Sequence, residues 1–165
     1  MGRRNRTNFE EEQFYFVTTT IKDFKNIFKY EECCKILISN IKHYQLKYEY
    51  EILGYVIMPN HFHWIVRTKP EKGTISSIMR DVKKYSAWGI LDFLEETEPD
   101  LDKSFILKTN GKQKRQLWIH RFDDEVIRNE KMFWVKLKYI HNNLVKAGVD
   151  QRQLLFPVND NYLRL

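Results

Sequence analysis

Two histidines, separated by a single phenylalanine, lie in the segment GYVIMPNHFHWIVRTK, residues 54–69. Side chains at positions i and i+2 of a β-strand project to the same face, so a strand here places the imidazoles of His61 and His63 side by side. Two such imidazoles supply half of a metal site. With an oxygen ligand they suit Mn²⁺ better than Mg²⁺, although phosphate oxygens of a substrate can complete either shell. The alternative is a histidine pair that only forms hydrogen bonds within the sheet.

A second group of reactive residues lies in the segment KLKYIHNNLVKAGV, residues 136–149, which has the spacing of an amphipathic helix. The apolar stripe of this helix comprises Phe133, Leu137, Ile140 and Leu144. The neighbouring polar row comprises Lys136, Tyr139, Asn143 and Lys146. Tyr139 and Asn143 lie one turn apart, so a phenol nucleophile and an amide oxygen can face one phosphate. The alternative is a tyrosine at the edge of the core beside an exposed asparagine.

The elements that position these residues follow from local patterns. Alternating and β-branched residues predict strands over residues 13–21, 51–58, 61–68 and 116–127, and the turn at Pro59 and Asn60 joins the middle two as a hairpin. Helical spacing predicts helices over residues 31–50, 74–96 and 128–148, with a loop over 97–116 and Gly148 as a C-cap. This order predicts an α+β fold, the ferredoxin-like split βαβ sandwich with an antiparallel sheet and an added C-terminal helix.

Length and composition predict one globular domain. The 165 residues would form a single domain over 1–165, with a basic and acidic arm at 1–12 and a tail at 149–165. Apolar runs fall short of the ~20 residues that span a bilayer, and no apolar segment follows MGRRNRTNFEEEQ, so we expect no membrane association, no signal peptide and a cytoplasmic location. Cys33 and Cys34 are expected to be reduced packing residues.

Charge favours a nucleic-acid partner. Lys and Arg number 28 against 22 Asp and Glu, a net charge of +6, which indicates an anionic partner, nucleic acid ahead of membrane. The candidate phosphate contacts are Arg3, Arg4, Arg6, Lys83, Lys84, Ser86, Lys136 and Lys146. A Gly-containing loop adds Lys108, Lys112, Lys114 and Arg115. Aromatic candidates for stacking on unpaired bases are Trp64, Tyr85 and Trp118, with burial in the core as the alternative.

Four blocks of the chain, taken in order, resemble the REP-associated tyrosine transposases, a branch of the single-tyrosine HUH transposases. These blocks are YFVTTTI, GYVIMPNHFHWIV, DVKKYS and LKYIHNNLVKAG, and the match covers residues 14–148. The resemblance implies a domain that cuts and rejoins single-stranded DNA near a hairpin. It also implies that His61 and His63 bind a divalent metal, Mg²⁺ or Mn²⁺, that Asn143 completes this metal site, and that Tyr139 on the added helix is the nucleophile.

The chain departs from the family pattern at three positions. Leu144 follows Asn143 where the family usually has proline, Glu125 stands where a histidine is frequent, and Ile119 where glutamine is common. These departures affect the surroundings of the implied site and leave its reactive residues in place.

The sequence thus predicts a metal-dependent DNA transposase that acts on single-stranded or hairpin DNA through a 5′-phosphotyrosine intermediate. One alternative is a non-catalytic, domesticated nucleic-acid-binding relative. Another is a metal-dependent phosphodiesterase in which water attacks and Tyr139 is structural. The presence of both histidines with Tyr139 and Asn143 favours catalysis. The sequence leaves open whether the protein is a monomer or a homodimer, and whether Tyr139 acts in cis or in trans to the histidines.

Overall fold

A single antiparallel sheet organises the parts of the chain that the computed structural model describes, residues 12–108 and 114–147. Its strands are β1 (Gln13–Thr20), β2 (Glu51–Met58), β3 (His61–Thr68) and β4 (Asp123–Ile127). Their spatial order is β2-β3-β1-β4, and every neighbouring pair is antiparallel. This is the strand order of a ferredoxin-like split βαβ sandwich. The predicted fold class is confirmed.

Helices cover both faces of the sheet. The helices are α1 (Glu31–Tyr48), α2 (Ile75–Thr97), the short α3 (Pro99–Lys103) and α4 (Glu130–Ala147). Two 3₁₀ turns, Lys22–Phe24 and Ile27–Lys29, connect β1 to α1. Helices α1 and α2 pack against each other, whereas α4 contacts β2, β3 and β4. Because strand side chains alternate in direction, the α1 side receives Phe62 and Trp64 of β3, and the α4 side receives the two histidines.

The sequence dictates where α2 and α4 begin. Thr74 caps α2 through its Oγ1 atom, which accepts a hydrogen bond of 3.2 Å from the backbone N–H of Ser77. Asn129 plays the same part for α4, since its Oδ1 accepts from the N–H of Met132 at 2.9 Å. Most of the predicted apolar stripe is buried in each helix, including Ile78 of α2 and Phe133 and Ile140 of α4, whereas Ala87 and Leu137 are partly buried. The side chain of Leu144 lies outside the described structure.

Residues 97–127 differ most from prediction. The loop predicted over 97–116 contains helix α3, with Pro99 at its first position, where proline is pre-organised for a helix. The strand predicted over 116–127 is confined to β4. Before it, Trp118 forms only an isolated bridge with Ile21, and the carbonyls of residues 119–121 accept hydrogen bonds from the Lys83 ammonium.

Some predictions fall outside the described residues. These are the N-terminal arm with Arg3, Arg4 and Arg6, loop residue Lys112, the Gly148 cap and the tail at 149–165. The single-domain boundaries therefore stay a prediction. Within residues 12–108 and 114–147, no helix has the length and apolar character needed to cross a membrane. Cys33 and Cys34 are both free thiols, and burial raises the pKa of Cys33 to about 12.

Candidate active site

His61 and His63 lie next to each other on the face of β3 that α4 covers. Their ring centroids are 4.8 Å apart with an interplanar angle of 80°. The strand register places Thr18 of β1 and Val56 of β2 on either side of His63, and Met58 of β2 beside His61. The predicted side-by-side arrangement is therefore what the hairpin builds.

Hydrogen bonds orient both imidazoles through their Nδ1 atoms. Asn60 Oδ1 lies 2.6 Å from His61 Nδ1, and because a carboxamide oxygen only accepts, His61 Nδ1–H is the donor. Its lone pair then lies on Nε2. The Thr18 hydroxyl oxygen lies 2.7 Å from His63 Nδ1. The tautomer in which His63 Nδ1–H donates to Thr18 likewise leaves the lone pair on Nε2, which is the arrangement that metal-binding histidines use.

The surroundings keep both imidazoles neutral. Burial, reinforced by the nearby charges of His61 and Lys136, lowers the pKa of His63 to about 4. Burial also lowers the pKa of His61. A protonated imidazole has no lone pair to give, so a low pKa leaves both rings available as metal ligands at neutral pH.

Tyr139 of α4 contacts His63 directly, and the Phe16 ring packs against both side chains. The Tyr139 ring meets the His63 ring edge to face, with centroids 5.2 Å apart. Phe16 of β1 stacks on His63 at 5.4 Å and 16°, and its ring contacts Tyr139 at 5.9 Å and 81°. Tyr139 remains 46% exposed. A buried imidazole and a solvent-accessible phenol thus share one surface.

Lys136 lies one turn before Tyr139 and borders the same site. Its ammonium is 2.5 Å from Glu125 Oε2 of β4 and 4.7 Å from the centre of the Phe16 ring. Glu125 is the residue that stands where related sequences often have histidine. The structure gives this carboxylate a partner on α4, and the ion pair holds the Lys136 ammonium over the Phe16 ring.

Two buried polar atoms at this site have no hydrogen-bond partner among the described residues. They are Nε2 of His63 and Nδ2 of Asn143. Asn143 is 8% exposed, so the alternative of an exposed asparagine is wrong. Rotation of its carboxamide brings the oxygen into the position of Nδ2. An unpaired imidazole nitrogen and a buried carboxamide that can turn its oxygen to the same position fit a divalent cation.

A metal here would depend on few protein ligands. Within residues 12–108 and 114–147, no cluster of three or more His, Cys, Asp or Glu side chains could hold a metal ion. The candidate ligands are therefore His61, His63 and the amide of Asn143, which leaves positions for water or phosphate oxygens. An open site of this kind suits catalysis better than structural metal binding.

Comparison with known proteins decides the family. The family model described as "Transposase IS200 like" matches residues 11–143, a range that includes both histidines, Tyr139 and Asn143. The chain belongs to the IS200-like transposase family.

Three individual proteins resemble this transposase. A solved structure of a REP-associated tyrosine transposase bound to a REP hairpin matches with a TM-score of 0.65 and 22% identity, over 92% of this chain and 77% of that one. A crystal structure of a protein from Deinococcus radiodurans R1, described as a transposase, matches with a TM-score of 0.54 and 14% identity, over 87% and 96%. An uncharacterized protein of Haemophilus influenzae is 22% identical over 87% of each chain. The family model and the first structure support the resemblance predicted from the sequence.

The predicted DNA contacts of the transposase differ in accessibility. Lys83 is half-buried, its ammonium donates to the carbonyls of residues 119–121 at 2.7 to 3.2 Å, and burial lowers its pKa to about 8. Ser86 is fully buried and accepts a hydrogen bond from Trp118 Nε1. Lys84 and Lys146 are exposed. Of these four residues, only Lys84 and Lys146 have exposed side chains, and their contact with phosphate stays a prediction.

The predicted stacking residues divide in the same way. Trp64 and Trp118 are 0% and 4% exposed, so both belong to the core. Tyr85 is exposed on α2, and Trp88, one turn further along, is 54% exposed. Trp88 is therefore an exposed tryptophan that lies one helical turn from Tyr85, a neighbour that helical spacing could have indicated.

Three residues that position the site escaped sequence reasoning. Thr18 and Phe16 are recognisable only once the register of β1 against β3 is known, because no local pattern fixes which β1 residue meets His63. Asn60 looked like a turn residue alone. It also orients His61, and its own Nδ2 donates to the Phe24 carbonyl at 3.2 Å.

Proposed function

We propose that this transposase cuts and rejoins single-stranded, hairpin-bearing DNA with Tyr139 as nucleophile, assisted by a divalent metal at His61, His63 and Asn143. The observation that carries the proposal is the contact of the Tyr139 ring with the buried, neutral imidazole of His63 in the same chain. A hairpin substrate is supported by the REP hairpin in the similar solved structure. Contact within one chain favours action in cis.

The proposed step exchanges one phosphodiester for another. The Tyr139 phenol oxygen attacks phosphorus, the bond from phosphorus to the 3′-oxygen breaks, and a 5′-phosphotyrosine and a free 3′-hydroxyl result. The proton that leaves the phenol is balanced by the proton that the 3′-oxygen gains. Because the phosphotyrosine keeps the energy of the original bond, reversal or strand transfer needs neither ATP nor a second nuclease.

Each residue of the site has a defined part in this reaction. His61 and His63, fixed by Asn60 and Thr18, present their Nε2 lone pairs, and Asn143 offers an amide oxygen. A bound Mg²⁺ or Mn²⁺ would act as a Lewis acid on the scissile phosphate. Lys136, held by Glu125, places positive charge where the phenolate and the phosphate carry negative charge.

The first experiment compares wild type, Tyr139→Phe and Tyr30→Phe on labelled single-stranded hairpin DNA taken from repeats flanking the gene. Tyr30→Phe is the matched control, because it removes a half-buried phenol at the start of α1, away from α4 and from the histidine pair. With Mn²⁺ or Mg²⁺, we expect wild type and Tyr30→Phe to give a slowly migrating covalent band on a denaturing gel. Tyr139→Phe and samples with EDTA should give none.

Two other results would replace the proposal by its alternatives. Cleavage without a covalent band, unaffected by Tyr139→Phe, would mean that water is the nucleophile. Tight hairpin binding without cleavage in any metal would mean that the protein is a non-catalytic DNA-binding relative.

A further inference from the structure

We propose that an aromatic strip across α1 and α2 binds unpaired nucleotides of single-stranded DNA. The strip comprises the rings of His43, Tyr44, Tyr85 and Trp88 with the ammonium groups of Lys47 and Lys84. It lies on the layer opposite α4, so it is a surface separate from the candidate active site. The inference goes beyond the proposed function and does not depend on the chemistry of Tyr139.

The rings of the strip form a continuous series. His43 meets Tyr44 with centroids 4.9 Å apart, Tyr44 meets Tyr85 at 5.5 Å, and Tyr85 meets Trp88 at 5.1 Å. Tyr44 is buried, whereas Tyr85 is 37% and Trp88 54% exposed. The strip is therefore anchored in the protein at its middle and open to solvent at Trp88.

Cations lie directly on these rings. The Lys84 ammonium is 5.0 Å from the centre of Tyr85 and 4.9 Å from the centre of Trp88. The Lys47 ammonium is 5.6 Å from the centre of Tyr44. Phosphates of a bound strand would draw the Lys84 ammonium outward and free the ring faces of Tyr85 and Trp88 for bases, while Lys47 stays paired with Asp81. Stacked bases and paired phosphates are the two contacts by which proteins hold single strands.

Two acidic side chains near the strip, Asp81 and Asp92, are already paired, Asp81 in part with Lys47 of the strip itself. Asp81 is buried and accepts from Tyr48, Lys47 and Arg80. Asp92, one turn after Trp88, lies 3.0 Å from Arg115. Among the described residues, no carboxylate forms an ion pair with Lys84 at the open end of the strip, which favours an anionic occupant with flat rings over an apolar protein segment.

Folding alone does not account for Trp88. The apolar stripe of α2 already provides the side chains that pack this helix into the core, including Ile78, Ile90 and Leu94, each of which is fully buried. Trp88 lies outside that stripe. The exposed indole, held against a lysine and a tyrosine, offers an open π face on which another ring system can stack.

The test measures binding of fluorescent oligo(dT) by the full chain in EDTA, where no cleavage occurs, across a salt titration. The variants are Trp88→Ala, Trp88→Phe, Lys84→Gln and the control Leu46→Ala. Leu46 is an 84% exposed apolar residue of α1 that has no π face. Thermal melts by circular dichroism check that each variant is folded.

We expect Trp88→Ala to weaken oligo(dT) binding about fivefold to a hundredfold, the range for loss of one stacked base. Trp88→Phe should retain most of the affinity, and Leu46→Ala all of it. Lys84→Gln should reduce the slope of log K against log salt by about 0.7, the value for one phosphate contact to a single strand.

Three results would overturn the inference. Equal affinity of Trp88→Ala and wild type would remove the strip from DNA binding. Stronger competition by oligo(rU) than by unlabelled oligo(dT) would make RNA the occupant. If sedimentation shows a wild-type dimer that Trp88→Ala dissociates without loss of DNA affinity, the strip is an interface between two copies. None of these results bears on the covalent band that tests Tyr139.

Discussion

Phe16 is the residue that joins the nucleophile to the candidate metal ligands. Its ring stacks on His63, meets Tyr139 edge to face, and carries the Lys136 ammonium above it. It is 8% exposed, so its position is fixed by the core. Because the Phe16 ring touches both His63 and Tyr139, it helps to set the distance between the candidate metal ligand and the nucleophile. Catalysis is sensitive to shifts of about 1 Å in such distances.

Replacing Phe16 with leucine should therefore impair chemistry more than folding. We expect Phe16→Leu to slow formation of the covalent hairpin product by about tenfold to a hundredfold, while oligo(dT) binding in EDTA stays at the wild-type level. The matched control is Phe14→Leu, because Phe14 lies on the same face of β1 two residues earlier and contacts Arg67 instead. Equal rates for the two variants would show that Phe16 has no positioning role.

At this scale the sequence predicts reactive residues better than their neighbours. The i and i+2 positions of His61 and His63 determine that both face one way, and the helical spacing of Tyr139 and Asn143 places both on one flank. Lys83 shows the limit of such reasoning. Its charge predicts a phosphate contact, but its ammonium is held by backbone carbonyls that lie 36 to 38 residues away in the sequence.

Among the secondary-structure elements, the approach of α4 to the sheet depends on a glycine in β2. A Cβ atom at Gly54 would lie 2.9 Å from Cδ1 of Leu137 and 3.8 Å from Cδ1 of Ile140, both on α4. Glycine within a strand often marks such a close approach. Because α4 carries Tyr139 and Asn143, the space at Gly54 sets how far these side chains reach toward β3.

A methyl group at this position should force the Leu137 side chain to repack at the contact between α4 and the sheet. Overpacking costs about 1–3 kcal/mol, and the loss of glycine flexibility in the unfolded chain returns ~0.4–1 kcal/mol. We thus expect Gly54→Ala to lower the free energy of unfolding by about 1 kcal/mol, as measured by urea denaturation. We also expect the variant to give less covalent product than its remaining fraction of folded protein would explain.

The double variant Gly54→Ala with Leu137→Val provides the control for this prediction. Shortening Leu137 removes the atom that the new methyl group meets, so the two changes should be less damaging together than the sum of their separate effects. Strict additivity of the two free-energy changes would argue against contact between these positions as the cause.

Element prediction succeeded where a local signal exists. Hydrophobic spacing identified α1, α2 and α4, and the caps at Thr74 and Asn129 lie at or next to the predicted starts. It was wrong at α3 and before β4. Those segments are organised by tertiary contacts, such as Arg115 with Asp92, Glu95 and Asp102, which join distant parts of the chain.

For the molecule as a whole, the sheet separates two layers with different tasks. One layer, formed by α4, holds the candidate active site. The other layer consists of α1 and α2, which pack against each other around Asp81 of α2. This buried carboxylate accepts hydrogen bonds from Tyr48 at 2.6 Å, Lys47 at 2.9 Å and Arg80 at 3.0 Å. Tyr48 and Lys47 belong to α1, so this carboxylate fastens the two helices that also carry the aromatic strip.

Asp81 should make the stability of the whole molecule depend on acid. Burial opposes its ionisation, but the hydrogen bonds from Tyr48, Lys47 and Arg80 outweigh burial and lower the pKa of Asp81 from 3.8 to about 2. A depressed pKa stabilises the folded protein above the unfolded value, and that contribution is lost as the pH falls from about 4 through about 2. Its size, at 1.36 kcal/mol per pKa unit, is about 2 kcal/mol.

Asp81→Asn is therefore expected to lower the free energy of unfolding by about 2 kcal/mol at neutral pH, measured by urea denaturation. The difference from wild type should shrink as the pH is lowered through the window of about 4 to 2, because wild-type Asp81 then becomes protonated. The control is Asp92→Asn on the same helix, whose exposed ion pair with Arg115 is worth at most about 1 kcal/mol. A wild-type advantage that stays constant down to about pH 2 would mean that the charge of Asp81 is not what fastens α1 to α2.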